Sequence, residues 1–364
     1  MLPTDIDLKQ VSPLMRDDEV TDVLINSTDS VYVERGGMME DTGIRFANDE
    51  EVYEIACNIA KAVGREVNPS RPLVDARLAD GSRVNIIAPP LAVDGTMISI
   101  RKFPKHHITI DKMVAQENIS EQMGEFLKIC GKSRLNVIIS GGTGSGKTTL
   151  LNAVSQFIED SERVVTIEDS AELRLHQPQV VRLETKVPTI IDPAEEVSIR
   201  DLVRNALRMR PDRIIVGEVR GAEAFDMMQA MNTGHEGSFA TIHANHPRDA
   251  LARLENMILS ADLGLPPKAI REQIVSAVHL IIQTSRMRDG KRRITHITEI
   301  NGLEGEMVTT QELFQFNQGR TGTDGMLSGE FRFNQIVPKF IRRAAYWGEG
   351  EQLSKTLGIA IPVT

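Results

Sequence analysis

The sequence predicts an α/β protein in which a smaller α+β N-terminal domain precedes a larger domain with a mainly parallel β-sheet. Three observations predict this class: hairpin patterns in the first hundred residues, alternating strand and helix patterns after about residue 120, and a glycine-rich loop between a strand and a helix. A chain of 364 residues is long enough for two domains. We expect the N-terminal domain over 1–104, a connection over 105–120, and the second domain with a C-terminal extension over 121–364.

The N-terminal domain is predicted from short alternating segments and one helical pattern. Apolar residues recur every three or four positions between Asp49 and Val63, and Gly64 follows as a stop, so this segment is expected to be a helix. Asp80-Gly81 is a hairpin turn signal between two alternating segments. The strands expected around these elements lie at 23–25, 31–33, 73–78, 83–87 and 97–103.

In the second domain, strand patterns are separated by helix patterns, which is typical of parallel strands with helical crossovers. Its first helix is expected from Glu121 to Cys130. Ser198 and Asp201 form a capping-box pattern at the start of another helix, and Pro247 suits the first position of a third. Strands are expected at 136–140, 164–167, 180–183, 214–216, 238–242 and 280–283, and the last residues are expected to add a few strands and a terminal helix.

The composition is that of a folded soluble protein, with 41% hydrophobic and 26% charged residues. No apolar run approaches the roughly 18 residues needed to span a bilayer. The first residues lack the basic and apolar regions of a signal peptide, so we expect a cytoplasmic protein. Cys57 and Cys130 lie on the apolar sides of helical patterns, which favours two buried thiols over a disulfide or a metal site.

The net charge of −9 is concentrated near the N-terminus, where residues 1–50 carry 12 acidic and 4 basic side chains. An acidic front and a balanced remainder argue against a nucleic acid as the main partner. Two interpretations of the acidic segment stand side by side: a solvated face and a docking surface for a basic partner.

The phosphate-binding pattern G-x-x-x-x-G-K-[ST] is matched by Gly141, Gly142, Thr143, Gly144, Ser145, Gly146, Lys147 and Thr148. An apolar strand precedes the pattern, and a helix that begins with Thr148-Thr149 follows it. Backbone N–H groups of such a loop surround phosphates, and the helix N-terminus adds the positive end of its dipole. We expect Lys147 to reach the β- and γ-phosphates of ATP, and the Thr148 hydroxyl to bind Mg²⁺. The sequence therefore predicts a site for ATP or ADP and Mg²⁺.

Three further segments end a predicted apolar strand with polar side chains, the place where an open parallel sheet holds its ligands. They are 166–172 with Glu168, 214–220 with Glu218, and 239–246 with His243. A single polar strand end is more often merely solvent-exposed, but three of them after a phosphate-binding loop indicate a site. Gly217 stands where an Asp is usual in phosphate-loop ATPases, so Glu218 is the candidate carboxylate for the metal.

The set of segments 141–148, 166–173, 214–220 and 237–254 resembles the Walker A, Asp-box, Walker B and His-box series of the type II/type IV secretion ATPase superfamily. In the N-terminal part, 20–26, 31–35 and 98–103 resemble the CpaF branch, the motor ATPases of tight-adherence (Flp) pili. Related motors that assemble type IV pili or type II secretion systems often carry a four-cysteine zinc insert, which two distant cysteines cannot form. We therefore expect no zinc, and a protein of the CpaF branch or of the neighbouring conjugation ATPases.

The resemblance implies a motor that forms a homo-hexameric ring at the cytoplasmic face of an inner membrane. Each subunit is expected to pair its N-terminal domain with a RecA-like P-loop ATPase domain and to hold nucleotide between them. The implied partners are inner-membrane pilus platform proteins, and the implied work is pilus assembly, with retraction left open. A conjugation or type IV secretion ATPase is the alternative.

Two other classes are disfavoured by the residues themselves. A nucleic-acid translocase is expected to show aromatic or basic pore loops, but Tyr and Trp total only four and the longest basic tract is Lys291-Arg292-Arg293. We therefore expect no nucleic-acid partner. A scaffold that binds nucleotide without turnover does not fit the intact set of Lys147, Thr148, Glu168 and Glu218.

Three arginines and a histidine complete the candidate site. Arg77, Arg83 and Arg101 lie on or beside strands of an otherwise acidic domain, where an arginine can bind phosphate oxygens in a bidentate way. Ordinary surface ion pairs are the alternative. His243 is expected to sense the γ-phosphate through one hydrogen bond from a neutral imidazole, and a histidine tied to a backbone carbonyl is the alternative.

The two carboxylates are assigned separate roles. We expect Glu168 to be the catalytic base that orients or deprotonates the attacking water, and Glu218 to support Mg²⁺ through water. The reverse assignment stays open, because a Glu at the Glu218 position is the base in many other phosphate-loop ATPases. Lys147 and Arg101 are expected to act with them on the phosphate.

Overall fold

The computed structural model describes residues 6–103, 108–186, 196–322 and 327–360. The chain divides into two compact units, Met1–His106 and His107–Thr364. No helix in the described ranges is both long and apolar enough to cross a membrane.

The first unit is a six-stranded antiparallel sheet with strand order β3-β2-β1-β6-β5-β4. Both hairpins expected from the sequence are present, and a short edge strand, β3, was not expected. The strands are β1 Val20–Ser27, β2 Ser30–Arg35, β3 Met38–Asp41, β4 Leu73–Arg77, β5 Arg83–Ile87 and β6 Met97–Arg101. The helices are α1 Ser12–Arg16 and α2 Asp49–Ala62, and a 3-10 turn covers Lys9–Val11.

Helix α2 shows how local sequence sets an element. The Asn48 side chain accepts a hydrogen bond from the backbone N–H of Glu51 at 3.1 Å, which caps the helix start. Three acidic residues occupy the first turn, where they complement the positive end of the helix dipole. One face carries Val52, Ile55 and Ile59, all fully buried against the sheet.

The second unit contains a nine-stranded mixed sheet with strand order β15-β14-β13-β12-β7-β11-β10-β8-β9. Strands from β12 to β9 in this order are parallel, and β13, β14 and β15 add antiparallel neighbours. The strands are β7 Val137–Gly141, β8 Val164–Glu168, β9 Val180–Glu184, β10 Arg213–Val216, β11 Phe239–Ile242, β12 Leu280–Arg286, β13 Arg292–Glu304, β14 Met307–Thr321 and β15 Leu327–Phe333.

Helices cover both faces of this sheet. The capping box at Ser198 and the first-position Pro247 are both present, as the sequence predicted. The helices are α3 Ile110–Ala115, α4 Glu121–Lys132, α5 Lys147–Ser155, α6 Ile199–Ala206, α7 Glu223–Asn232, α8 Pro247–Leu259, α9 Pro267–Ala277, α10 Ile341–Tyr346 and α11 Gly350–Leu357.

The segment expected to connect the domains differs from the expectation. Helix α3 lies within 105–120 and buries Ile110 and Met113 in the same core cluster as α4. Most of that segment is therefore folded into the second unit, because its apolar residues have a partner helix to pack against. Residues 104–107 lie outside the described ranges.

The central strand β7 explains where the site lies. Its residues are buried on both faces: Val137 and Ile139 pack into one core cluster, and Ile138 packs into the other. Because β7, β8, β10 and β11 are parallel neighbours, their carboxyl ends meet at one edge of the sheet.

Of the two thiols, Cys130 is buried and Cys57 is half-buried, and both are free.

Candidate active site

The phosphate-binding loop joins the end of β7 to the start of α5, and its glycines are required by the backbone and by packing. Gly144 and Gly146 have φ of +69° and +98°, a region that residues with a side chain rarely adopt. A Cβ at Gly141 would lie 2.3 Å from Ser145 Oγ and 2.4 Å from Thr284 Oγ1. The loop shape therefore depends on glycine at these three positions.

The loop presents donors suited to a polyphosphate. Gly146, the N-cap of α5, has no side-chain cap, so the first N–H groups of the helix, from Lys147 to Thr149, lack an intrahelical acceptor. Lys147 is 8% exposed, and its Nζ donates to the Gly142 carbonyl at 3.0 Å. Burial lowers the pKa of Lys147, although the nearby Glu218 carboxylate opposes the shift. These free donors and a buried cation fit an anionic ligand.

His243 and Glu218 lie directly beside Lys147. The Lys147 Nζ is 3.4 Å from His243 Nε2, and His243 Nε2 is 3.0 Å from Glu218 Oε1. Burial, reinforced by the Lys147 charge, lowers the pKa of His243, so the imidazole is neutral at neutral pH. A neutral His243 with its hydrogen on Nε2 donates to Glu218. The lysine of the phosphate-binding loop and two residues from separate strand ends are thus brought together.

Arg220 extends this chain to the Asp-box segment. Its Nη2 donates to Glu218 Oε2 at 2.9 Å, and its Nη1 lies 2.9 Å from Asp169 Oδ2. Burial alone would raise the pKa of Glu218, but the hydrogen bond from Arg220, the contact with the neutral His243 and the positive charges of Arg220 and Lys147 hold that pKa below its ordinary value. Glu218 is therefore ionised, and an ionised carboxylate is what a metal-supporting group requires.

Glu168 occupies different surroundings. Its side chain is 4% exposed, and burial raises its pKa to about 7 against the opposing hydrogen bonds from the Glu172 and Leu173 N–H groups. Oε1 accepts from those two N–H groups at 2.9 and 3.1 Å. The carboxylate thus holds the turn that follows its own strand.

The packing of Glu168 also explains the unusual Gly217. A Cβ at Gly217 would lie 2.7 Å from Glu168 Cγ. The stem of Glu168 therefore fills the space that a side chain at Gly217 would need, and an Asp there would clash with it. Glu168 ends β8, and Glu218 follows the end of β10, the parallel neighbour of β8, so the close contact lies between the two carboxylates at the ends of these strands.

The three arginines of the first unit form one row across the sheet. Arg77 is the cross-strand partner of Arg83, Arg83 is the partner of Arg101, and Arg101 is the partner of Asp22. Directly opposite residues share a face of a sheet. Arg101 is 61% exposed and donates from Nε to Asp22 Oδ1 at 3.2 Å, and Arg77 Nε donates to the Gly81 carbonyl at 3.2 Å.

Sequence reasoning missed two residues that contact the loop. Thr284 Oγ1 donates to the Ser140 carbonyl at 3.1 Å and lies 2.9 Å from Ser145 Oγ. Arg292 Nε donates to the Gly144 carbonyl at 2.9 Å. Strand β12 is a parallel neighbour of β7, so the strand-end rule applied to its polar end would have found Thr284. Arg220 lay within a quoted motif but was given no role.

Comparison with known proteins gives a consistent set of relatives. The family model described as Type II/IV secretion system protein matches residues 5–341. A putative conjugal transfer protein of Mycobacterium tuberculosis is 38% identical over 303 residues, which is 82% of this chain and 85% of that protein. Conjugal transfer protein TrbB of Rhizobium radiobacter is 32% identical over 314 residues, which is 85% of this chain and 92% of that protein.

Solved structures agree on the fold. The crystal structure of the pilus retraction motor PilT with bound ADP covers 96% of this chain and 90% of its own, with a TM-score of 0.56 and 18% sequence identity. At this identity the likeness concerns the fold alone. The two sequence relatives are named for conjugal transfer, so the expected tie to tight-adherence pili stays a prediction.

Proposed function

We propose that this chain, which belongs to the type II/IV secretion system protein family, is a Mg²⁺-dependent motor ATPase. The observation that carries the proposal is the contact series from Lys147 in the phosphate loop through His243 to Glu218. A lysine that faces phosphate, a neutral histidine and an ionised carboxylate within hydrogen-bond reach are the parts that phosphoryl transfer to water requires.

Each residue of the site has a proposed task. The loop Gly141–Thr148 and the N–H of Thr149 bind the phosphates, and Lys147 neutralises charge on them. Thr148, and Glu218 through water, would hold Mg²⁺, which would offset the negative charge of the phosphate oxygens. Neutral His243 exchanges its hydrogen bond between Glu218 and the γ-phosphate, and so reports whether that phosphate is present.

We assign the base to Glu168, and the reverse assignment is the alternative. A pKa of about 7 suits a base that works at neutral pH. The position of Glu168 next to Gly217 keeps it beside the strand that carries Glu218. The two N–H donors on its carboxylate also fit a purely structural role in the turn that ends at Leu173. In that case Glu218, which already faces His243 and Lys147, is the base.

The arginine row is proposed to bind phosphate oxygens. Three guanidinium groups lie at directly opposite positions of neighbouring strands, and Asp22 continues the row beyond Arg101. The pair between Arg101 and Asp22 is largely exposed, so it holds Arg101 only weakly. The side chain of Arg101 is more exposed than that of Asp22, and Arg101 is the proposed phosphate sensor.

The proposed task in the cell is to drive assembly of a tight-adherence pilus through an inner-membrane platform, from the cytoplasmic side. Its support is the likeness of the N-terminal segments to the CpaF branch. A conjugation or type IV secretion ATPase is the second candidate, and the names of the two sequence relatives favour it. The proposal includes no nucleic-acid partner and no zinc.

Cells that lack this protein distinguish the pilus motor from the conjugation or type IV secretion ATPase. We expect them to lose surface pili, as seen by electron microscopy, and to regain them with the wild-type chain or with Lys268→Ala, a change at an exposed lysine. Lys147→Ala should restore nothing. Normal pili together with failed DNA transfer or failed protein secretion would reject the pilus motor and support the second candidate.

A further inference from the structure

Two arginines outside the four family boxes lie against the phosphate loop. Strands β12 and β13 form a hairpin whose last cross-strand pair is Arg286 with Arg292. Arg292 Nε donates to the Gly144 carbonyl at 2.9 Å, and its Cδ would lie 3.5 Å from a Cβ at Gly146. Arg286 Nη1 would lie 3.8 Å from a Cβ at Gly144. The end of this hairpin is therefore in contact with the middle of the loop.

The hairpin is anchored at its turn by a buried carboxylate. The side chain of Asp289 is fully buried and accepts from both Nη atoms of Arg293, at 3.0 and 2.9 Å, and from the Lys291 and Leu327 N–H groups. Burial would raise the pKa of Asp289, but these donors hold it below its ordinary value. The turn is thus fixed by four hydrogen bonds to one ionised group.

A second anchor holds the backbone of Arg292 itself. Asn118 Nδ2 donates to the Arg292 carbonyl at 2.6 Å, and the Ile294 N–H donates to the Asn118 carbonyl at 3.1 Å. These two hydrogen bonds fix the backbone at Arg292 and Ile294. The Arg292 guanidinium therefore reaches Gly144 from a backbone position that is already fixed. A long side chain held in this way loses little further freedom when it binds.

The hydrogen bond to Gly144 sets the shape of the loop. A peptide unit is planar, so fixing the Gly144 carbonyl also fixes the N–H of Ser145. That N–H donates to the Gly142 carbonyl at 3.3 Å and closes the turn Gly142–Ser145. The same Gly142 carbonyl accepts from Lys147 Nζ. Arg292 is therefore linked through one planar unit and one turn to the lysine that faces the phosphates.

We propose that Arg292 is a positioning residue of the nucleotide site, which braces the phosphate loop in its binding shape, and that Arg286 beside it adds positive charge next to the loop. This inference rests on the proposed ATPase function. Without the brace the loop must be ordered at the moment of binding, which weakens affinity. Once the nucleotide is bound the loop is ordered by its own ligand, so the rate at saturation is preserved.

The test is calorimetric titration with MgADP of the full-length wild type and of Arg292→Ala, Arg292→Lys and Arg288→Ala. Arg292→Ala should raise Kd about tenfold, which corresponds to one hydrogen bond to a charged group. Arg292→Lys keeps a cation and a donor and should stay within about threefold of the wild type. Arg288, exposed at the turn of the same hairpin, is the matched control and should leave Kd unchanged. The kcat of Arg292→Ala at saturating MgATP should stay within about twofold of the wild type.

Three results would overturn the inference. The first is an Arg292→Ala variant whose Kd equals that of the wild type, and the second is one whose kcat at saturating MgATP falls by clearly more than about twofold. The third is a loss of MgADP affinity that disappears when the titration is repeated well below the melting temperature of the variant, which marks a folding defect. A wild type that binds no MgADP would overturn the proposed function as well, so the two failures are distinguishable.

Discussion

Glu168 and Glu218 are carboxylates of the same length at neighbouring strand ends, and their surroundings push their pKa values in opposite directions. Burial raises the pKa of Glu168 to about 7, whereas Arg220, His243 and Lys147 hold the pKa of Glu218 low. Such a separation is a common sign of divided roles in a catalytic site. The roles of the two residues can be compared by changing each glutamate to glutamine, which removes the charge and keeps the length of the side chain.

Glu168→Gln should leave ATP affinity nearly unchanged and slow hydrolysis by about 10²–10⁴, the usual worth of a general base. Glu218→Gln should instead weaken binding and Mg²⁺ dependence together with the rate. The measurement is steady-state ATP turnover at varied Mg²⁺ combined with equilibrium binding. If Glu168→Gln turns over near the normal rate while Glu218→Gln traps ATP, the roles are reversed.

The raised pKa of Glu168 predicts a pH dependence. The base must be ionised, so kcat/KM should rise about tenfold per pH unit below about pH 7 and level off above it. The profile is measured with saturating Mg²⁺, and Glu168→Gln is the control that should lack this limb. A wild-type kcat/KM that is the same at about pH 6 and about pH 8 would show that Glu168 is not the base.

Among the elements, β10 is held at its amino end by a buried ion pair. Arg213 is fully buried and binds Glu162 through two hydrogen bonds, Nε to Oε2 at 2.7 Å and Nη2 to Oε1 at 2.6 Å. Its Nη1 donates to the Gly131 carbonyl at the end of α4, and Arg134 also pairs with Glu162. The pair thus ties together the segments that lead into β7, β8 and β10, at the edge of the sheet opposite the nucleotide site.

Arg213→Met should destabilise the protein by about 3–5 kcal/mol, because it leaves the buried Glu162 carboxylate with only Arg134 as a partner. The double variant Arg213→Met/Glu162→Leu removes the stranded charge and should recover part of this loss. Urea denaturation of both variants, without nucleotide, measures the difference. A single variant as stable as the wild type would mean that the pair contributes nothing to the fold.

The elements of the second unit follow closely from the sequence where patterns are local. Local patterns predict strand β7, the phosphate loop and the capped start of α6. An apolar run, a glycine pattern and a capping pattern each involve residues that are close together in the sequence. The edge strand β3 could not be predicted, because its four residues, two methionines followed by two acidic residues, are all exposed and show no buried alternation. It forms because β2 offers it a partner.

The site was predictable as a set of residues and not as an arrangement. Lys147, Glu218 and His243 were found from motifs, but the order of their contacts depends on which strands are neighbours. The row Arg77–Arg83–Arg101 depends on strand register, and the contact of Arg292 with Gly144 joins residues 148 positions apart. Gly217 was recognised as unusual, and its reason, the Glu168 stem, appears only in the packing.

For the whole molecule the family likeness leads us to propose a homo-hexameric ring. One chain has a mass of 40.4 kDa, so a hexamer should scatter light as a particle of about 240 kDa. We expect this mass with MgADP at micromolar protein, and a ring in negative-stain images. A strictly monomeric protein with full activity would exclude the ring.

The central claim is that this chain hydrolyses ATP at the loop that contains Lys147. It is tested most directly by ATP turnover of the purified full-length protein with Mg²⁺, in the presence and absence of membranes that carry its platform. The account predicts turnover by the wild type and by Lys268→Ala, and a loss of at least about 100-fold with Lys147→Ala, because the phosphates lose their buried cation. A Lys147→Ala protein that turns over like the wild type, or a wild type with no activity above that variant under either condition, would contradict it.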